Sequence, residues 1–349
     1  MTHNAYAALA PRTPLVPFEV TRRDLRGHDV ALDVLFSGIC HSDIHQVDED
    51  WGPGLFPMVP GHEIVGVVTA VGPAVSRFRV GERVGVGTFV DSCRSCRYCV
   101  AGDEQYCVEG PTGTYNSLER DGVTVAYGGY ADRFVVDEAY AVHVADSLDP
   151  AGVAPLMCAG ITLYSPLRHW GAAPGVRVGI VGLGGLGHMG VKFAHALGAE
   201  TTVFSHSPGK VEDAARLGAD HFVTGVAAGD AGVHRGEYDL IINTVSADLD
   251  LAPYFDLLKV DGTLVVVGLP SHPYAVAAGD LVNKRRALAG SMAGGTRELQ
   301  EMLDFCAQHD LTSDVEVVPA DYINTAYQRT LASDVKYRFV IDASTITSR

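Results

Sequence analysis

Six consecutive residues, Cys40-His41-Ser42-Asp43-Ile44-His45, bring together a thiol, a hydroxyl, a carboxylate and two imidazoles. A thiolate at Cys40 is a soft ligand suited to Zn²⁺, and a catalytic zinc takes three protein ligands and keeps one position open. Gly61-His62-Glu63 and Cys158 offer the remaining ligands, each after a break in regular structure: Ser37-Gly38, Pro60-Gly61 and Pro155. Cys40, His62 and Cys158 together make a Cys₂His set. Glu63 stands beside it, placed to tune the metal or to bind it transiently when the open site lacks water. Asp43 is placed to orient His62 through its second ring nitrogen. Taken singly, a cysteine is more often a small buried hydrophobe; Cys306 and most of the 14 histidines read that way.

A second set is Cys93-x2-Cys96-x2-Cys99-x7-Cys107. Four thiolates on one tight loop form a closed tetrahedral site, the arrangement of a structural zinc. A four-iron cluster uses similar ligands, but the proline that usually follows the last cysteine is absent.

Gly182-x-Gly184-Gly185-x-Gly187 follows the apolar stretch Arg177–Val181 and opens a helical pattern running to Leu197. Glycines between a strand and a helix let the backbone approach a pyrophosphate at the helix N-terminus, so a dinucleotide is expected here. The next strand, Thr201–Ser205, lacks the terminal carboxylate that binds an unphosphorylated ribose. Ser205, His206, Ser207 and Lys210 stand there instead, donors suited to a 2′-phosphate, so NADP(H) is the expected cofactor.

These groups need scaffolds. A chain of 349 residues exceeds the ~250–300 at which one core usually splits, so two domains are expected. Leu15–Val20 and Val30–Phe36 read as paired strands, the second alternating in the half-buried period. Glycine-punctuated, β-branched sequence from Ile64 to Val90 and a strand at Tyr130–Val136 complete a mostly antiparallel β domain. After Pro155, strand and helix alternate: Phe222-Val223, Tyr238–Asn243 and Thr263–Gly268 continue a parallel, doubly wound sheet. The expected domains are 1–155, completed by 293–349, and 156–292. In the tail, Thr296–His309 is a helix, and Val315–Pro319 and Arg338–Asp342 are strands returning to the first domain.

The balance of 26 basic and 42 acidic residues, a net charge of −16, argues against nucleic acid or an anionic membrane as partner. The first residues lack the basic and apolar regions of a signal peptide. No apolar run reaches ~18 residues. Cysteines crowded between 93 and 107 read as metal ligands in a cytoplasmic chain rather than as disulfides.

With these residues in view, the chain resembles the zinc-dependent medium-chain alcohol dehydrogenases, and among them the cinnamyl alcohol dehydrogenase group. The matching pieces are Gly38–Asp43, Phe56–Glu63, the four-cysteine loop, Gly113–Asn116, Leu156–Thr162, Gly182–Gly190 and Tyr337–Asp342. The resemblance implies a GroES-like catalytic domain, a Rossmann domain and a cleft between them. It also implies reversible, NADP(H)-dependent oxidation of a primary alcohol to an aldehyde, aromatic or medium-chain aliphatic, by a homodimer, with a tetramer as the alternative assembly. It places Cys40, His62 and Cys158 on the catalytic zinc, with Glu63 nearby. Ser42 then moves a proton between the substrate oxygen and the cofactor ribose, and His45 passes it to solvent. His41 lies near the pyrophosphate and Thr162 near the nicotinamide. Further cofactor contacts are implied at Leu186, Thr244, Val267, Gly268, Ser291 and Arg338. Gly113 and Met292 stand where plant lignin-pathway members carry bulky aromatics, so a differently shaped pocket is expected. Relatives that reduce iminium or conjugated alkene bonds often lack a complete relay, and a non-catalytic binding protein would be expected to lose ligands. Ser42, His45 and the full ligand set favour carbonyl chemistry.

Overall fold

The computed structural model describes residues 2–226 and 235–347. The chain divides into two compact units, Met1–Ile161 with Gly294–Arg349, and Thr162–Ala293.

The described residues of the first unit include a seven-stranded sheet. Its centre is the strand Asp29–Gly38, where Val30, Leu32 and Val34 are buried and Ala31, Asp33 and Leu35 are half-buried. That strand pairs antiparallel with Ile64–Val71, Arg133–Asp137 and Arg338–Asp342. The expected pairing of Leu15–Val20 with Val30–Phe36 is not what forms. Val16–Thr21 pairs instead with the N-terminal strand Thr2–Ala7 in a separate two-stranded sheet. The edges of the central strand are taken by partners from elsewhere in the chain. The tail returns as expected: Val315–Pro319 and Arg338–Asp342 pair in parallel at one side of the sheet.

Among the described residues of the second unit, six strands form an all-parallel sheet. Their spatial order is His221–Val223, Glu200–Phe204, Arg177–Val181, Tyr238–Asn243, Leu258–Val266 and Ala287–Gly290. Numbered along the chain this is 3-2-1-4-5-6, the order of a dinucleotide-binding doubly wound fold. The central strands carry apolar residues on both faces: Val178, Ile180, Val203, Leu240, Ile241, Ile242 and Leu264 are fully buried, as expected of strands covered on both sides. Among the described residues no helix is long and apolar enough to cross a membrane.

Candidate active site and metal centres

The central strand ends at Gly38, and the helix His41–Val47 begins three residues later. Cys40 is therefore delivered at a strand-to-helix corner. The corner is closed by Asp43, whose carboxylate accepts from the Cys40 backbone N–H at 2.9 Å. This is the reciprocal bond of a helix-capping arrangement. His62 and Glu63 sit on the approach to the strand Ile64–Val71. Their loop is held by Gly128, Gly129 and Tyr130, whose N–H groups donate to the carbonyls of Val59, Gly61 and Pro60. This tie explains why regular pairing begins only at Arg133 rather than at Tyr130. Cys158 lies between the turn Ala154–Met157 and the helix Ala159–His169.

The fold brings Cys40, His62, Glu63 and Cys158 together, with one ligand atom from each within 4.8 Å of the others. All four are buried. The two sulfurs are 3.9 Å apart. His62 Nδ1 lies 3.0 Å from Asp43 Oδ1, which leaves Nε2 as the ligand end. Glu63 Oε1 accepts from the Arg338 guanidinium, while Oε2 has no hydrogen-bond partner among the described residues. Two sulfurs, one imidazole nitrogen and a buried carboxylate oxygen with nothing to bond fit a zinc ion with one exchangeable position.

The electrostatics agree. A hydrogen bond from Cys158 holds the Cys40 thiol well below its usual range, against burial and with help from Arg338. Cys158 is raised by the same bond. Burial pushes Glu63 up to about 8, against the Arg338 charge. Burial opposes the Arg338 charge too, but Glu63, Cys40 and Cys158 outweigh it and keep the guanidinium protonated.

Ser42 is half-buried, its hydroxyl 3.6 Å from the Cys40 sulfur. His45 projects from the same helix, with Nδ1 2.8 Å from Asp50 Oδ2 and its ring 5.0 Å from that of Trp51. His41 is exposed, 6.3 Å from the His45 ring. Arg338 lies in the buried pocket against Glu63.

The four cysteines of the loop also converge, within 4.8 Å. The Cys93 N–H donates to Cys107 Sγ at 3.4 Å and the Cys96 N–H to Cys93 Sγ at 3.3 Å, bonds that suit thiolates. Backbone bonds near Cys99 and Val108 bring Cys96 down to about 6, whereas burial lifts Cys99 to about 12. A closed four-sulfur cage fits a structural zinc. The loop is tied to the helix Thr296–His309: Glu104 accepts from the Thr296 N–H at 3.1 Å, and Arg297 donates to the Ala101 carbonyl at 2.6 Å. Met302 of that helix meets Gly160, two residues past Cys158.

In the second unit the fingerprint lies between the strand Arg177–Val181 and the helix Gly187–Ala196. A Cβ at Gly187 would fall 2.0 Å from the Gly182 carbonyl, so only glycine allows this tight crossing. Leu186 is the residue before the helix. The loop Ser205–Ser207 follows the second strand, and the Ser207 N–H donates to Ser205 Oγ at 3.2 Å. His206 is exposed between them. Lys210 Nζ donates to the Leu183 carbonyl at 2.7 Å, which brings its charge to the glycine loop. Thr244, Val267, Gly268 and Ser291 follow the fourth, fifth and sixth strands of this sheet, so these residues gather at its carboxyl edge, where such folds bind ligands. Thr162 lies on the helix Ala159–His169.

Sequence reasoning missed Asp50 behind His45 and the tyrosines around Asp43. Asp50 is close in sequence, but the tyrosines are distant and leave no local signal.

A β unit that carries a Cys₂His-Glu pocket and a second unit built on a dinucleotide-binding sheet define the class of metal-dependent nicotinamide oxidoreductases. The alcohol dehydrogenase GroES-like domain model matches residues 26–146, and the zinc-binding dehydrogenase model matches 185–308. An NADP-dependent alcohol dehydrogenase C of Mycolicibacterium smegmatis is 55% identical over 99% of this chain and 99% of its own. Among solved structures, a cinnamyl alcohol dehydrogenase from Sorghum bicolor superposes with a TM-score of 0.96 at 44% identity, over 100% of both chains. One from Helicobacter pylori, complexed with NADP(H), gives 0.93 at 38% identity, over 99% of this chain and 100% of that one. The chain belongs to the zinc-binding alcohol dehydrogenase family. It is an oxidoreductase that interconverts alcohols and aldehydes.

Proposed function

We propose that the protein is an NADP(H)-dependent alcohol dehydrogenase and aldehyde reductase for primary alcohols of aromatic or medium-chain aliphatic type. The observation that carries this is the convergence of Cys40, His62, Glu63 and Cys158 with Ser42 alongside. Cys40, His62 and Cys158 hold the catalytic zinc and Cys93, Cys96, Cys99 and Cys107 the structural one. When bound, zinc supplies Lewis acidity to polarise an oxygen and the reduced nicotinamide supplies hydride. The chain's own part is to move the proton. In aldehyde reduction the Ser42 hydroxyl gives its proton to the substrate oxygen, and in alcohol oxidation it takes one. His45 exchanges that proton with solvent, and its Nδ1 bond to Asp50 orients the ring for this. Buried Glu63, held by Arg338, keeps a carboxylate beside the open ligand position.

Ser205, Ser207 and Lys210, with no carboxylate at the strand end, support NADP(H) over NAD(H), as do the relative named NADP-dependent and the solved NADP(H) complex. The first unit acts as catalytic domain and the second as cofactor domain. A homodimer is supported by the outer strand Ala287–Gly290, which is largely exposed and apolar with Val282 exposed nearby, an edge that a second copy would cover. A cytoplasmic setting suits the seven free cysteines. The test is a panel of aldehydes with each reduced cofactor in turn. The reading expects kcat/KM at least tenfold higher with NADPH, and falls if no aldehyde is reduced or if NADH is preferred.

A further inference from the structure

Asp43 is wholly buried, and its carboxylate accepts four hydrogen bonds. Oδ1 takes the Gly61 N–H at 3.2 Å and His62 Nδ1–H at 3.0 Å. Oδ2 takes the Cys40 N–H at 2.9 Å and the Tyr130 hydroxyl at 3.1 Å. Three of these donors belong to the loops that carry the metal ligands. The fourth comes from a separate segment. Tyr130 is fully buried, and its oxygen accepts from the Tyr327 hydroxyl at 3.5 Å, the two rings packing edge-on at 6.5 Å. Tyr327 stands on the helix Ile323–Leu331 in the returning tail. A chain of groups thus runs from the tail through Tyr130 and Asp43 to His62. On the other side Tyr115 stacks on the His62 ring at 5.9 Å and donates to the Ser42 carbonyl at 3.3 Å.

A carboxylate orients an imidazole only if it is itself prevented from rotating. The three donors from the ligand loops, the Cys40 and Gly61 N–H groups and His62 itself, move with those loops. Tyr130 is the donor supplied from outside those loops, on a segment that also braces the 59–61 loop through the Tyr130 N–H to the Pro60 carbonyl and that is backed by Tyr327. We propose that Tyr130, backed by Tyr327, is a positioning residue for the catalytic metal: its hydroxyl locks the Asp43 carboxylate, which in turn holds His62 with Nε2 toward Cys40 and Cys158. The proposal rests on the reading that these three residues hold the catalytic zinc. Outer groups of this kind typically change metal affinity 10–100-fold when removed. Tyr130 acts one bond further out than Asp43, which puts its effect at the lower end.

The test is zinc release from the zinc-loaded enzyme into a colorimetric chelator, comparing wild type, Tyr130→Phe and Tyr327→Phe. Tyr130→Phe is expected to release the catalytic zinc about tenfold faster, with release from the four-cysteine site unchanged, and Tyr327→Phe about two- to threefold faster. The cobalt-substituted enzyme reports the same geometry: Tyr130→Phe is expected to shift its visible ligand-field bands, which a purely packing role would leave in place. If Tyr130→Phe does not fold, Tyr327→Phe, half-buried at the end of the chain of bonds, carries the test. Release within twofold of wild type, with an unchanged cobalt spectrum, overturns the proposal while leaving the metal site intact. A wild-type enzyme that holds one zinc, unaffected by Cys40→Ala with Cys158→Ala, overturns the metal reading itself.

Discussion

Replacing Gly38 by alanine tests how the pocket holds Glu63. The new Cβ would lie 2.0 Å from Glu63 Oε2 and 3.0 Å from both Cβ and Cδ of Glu63. The backbone cannot simply withdraw, because the Gly38 N–H donates to the Glu63 carbonyl at 2.8 Å and the strand is paired at Gly38 with Val340. Nor is left-handed strain involved at this glycine. If the strand yields, the cost is that of overpacking a core, about 1–3 kcal/mol. If the carboxylate is expelled instead, Arg338 is left as an unpaired buried charge and the cost rises to about 3–5 kcal/mol. Both routes pass through the Glu63 carboxylate, so Glu63→Ala removes the 2.0 Å clash and leaves only the 3.0 Å contact with the Cβ that alanine keeps. In that background Gly38→Ala is expected to cost under about 1 kcal/mol, since the substitution also lowers the entropy of the unfolded chain. The measurement is urea unfolding of the four members of the double-mutant cycle, with metal content determined in parallel. A coupling of at least about 2 kcal/mol is expected. Additivity within about 0.5 kcal/mol would refute the steric account and place the Gly38 requirement elsewhere in the strand.

Elemental analysis is expected to find about two zinc ions per chain, falling to about one in Cys40→Ala with Cys158→Ala. Ser42→Ala is expected to lower kcat on an aldehyde by about 10²–10⁴-fold, and His45→Ala by less, because water substitutes for an outer relay member; wild-type turnover in Ser42→Ala would end the relay proposal. Cys99→Ala is expected to lower the thermal midpoint far more than it lowers kcat per intact catalytic zinc. Glu104→Gln, which weakens the tie to the Thr296 N–H, is expected to cost about 1 kcal/mol or less of stability with the cluster still filled. A filled cluster with an unchanged midpoint in Cys99→Ala would show that those sulfurs do not hold the loop.

Much of this protein is local and therefore legible in sequence. The four-cysteine spacing closes within one loop. The glycine fingerprint depends on a strand, a turn and a helix that are consecutive. Alternation from Val30 through Leu32 to Val34, and the face formed by Leu299, Met302, Leu303 and Cys306, follow from the periods of strand and helix, and those residues are buried as their spacing demands, while Phe36 near the strand end is half-buried. The Asp43–His62 bond is legible because His62 is itself a candidate ligand and Asp43 lies three residues from another, Cys40. What the sequence could not decide are relations between segments far apart in the chain. Which strand pairs with Asp29–Gly38 depends on competition among all available edges, and a neighbour in sequence lost it. Arg338 meets Glu63 across 275 residues of chain, and Tyr327 meets Tyr130 across 197, so neither has a spacing to read. Such contacts form because folding places a buried carboxylate where its charge must be compensated, and only the tertiary structure determines which residue supplies the compensation.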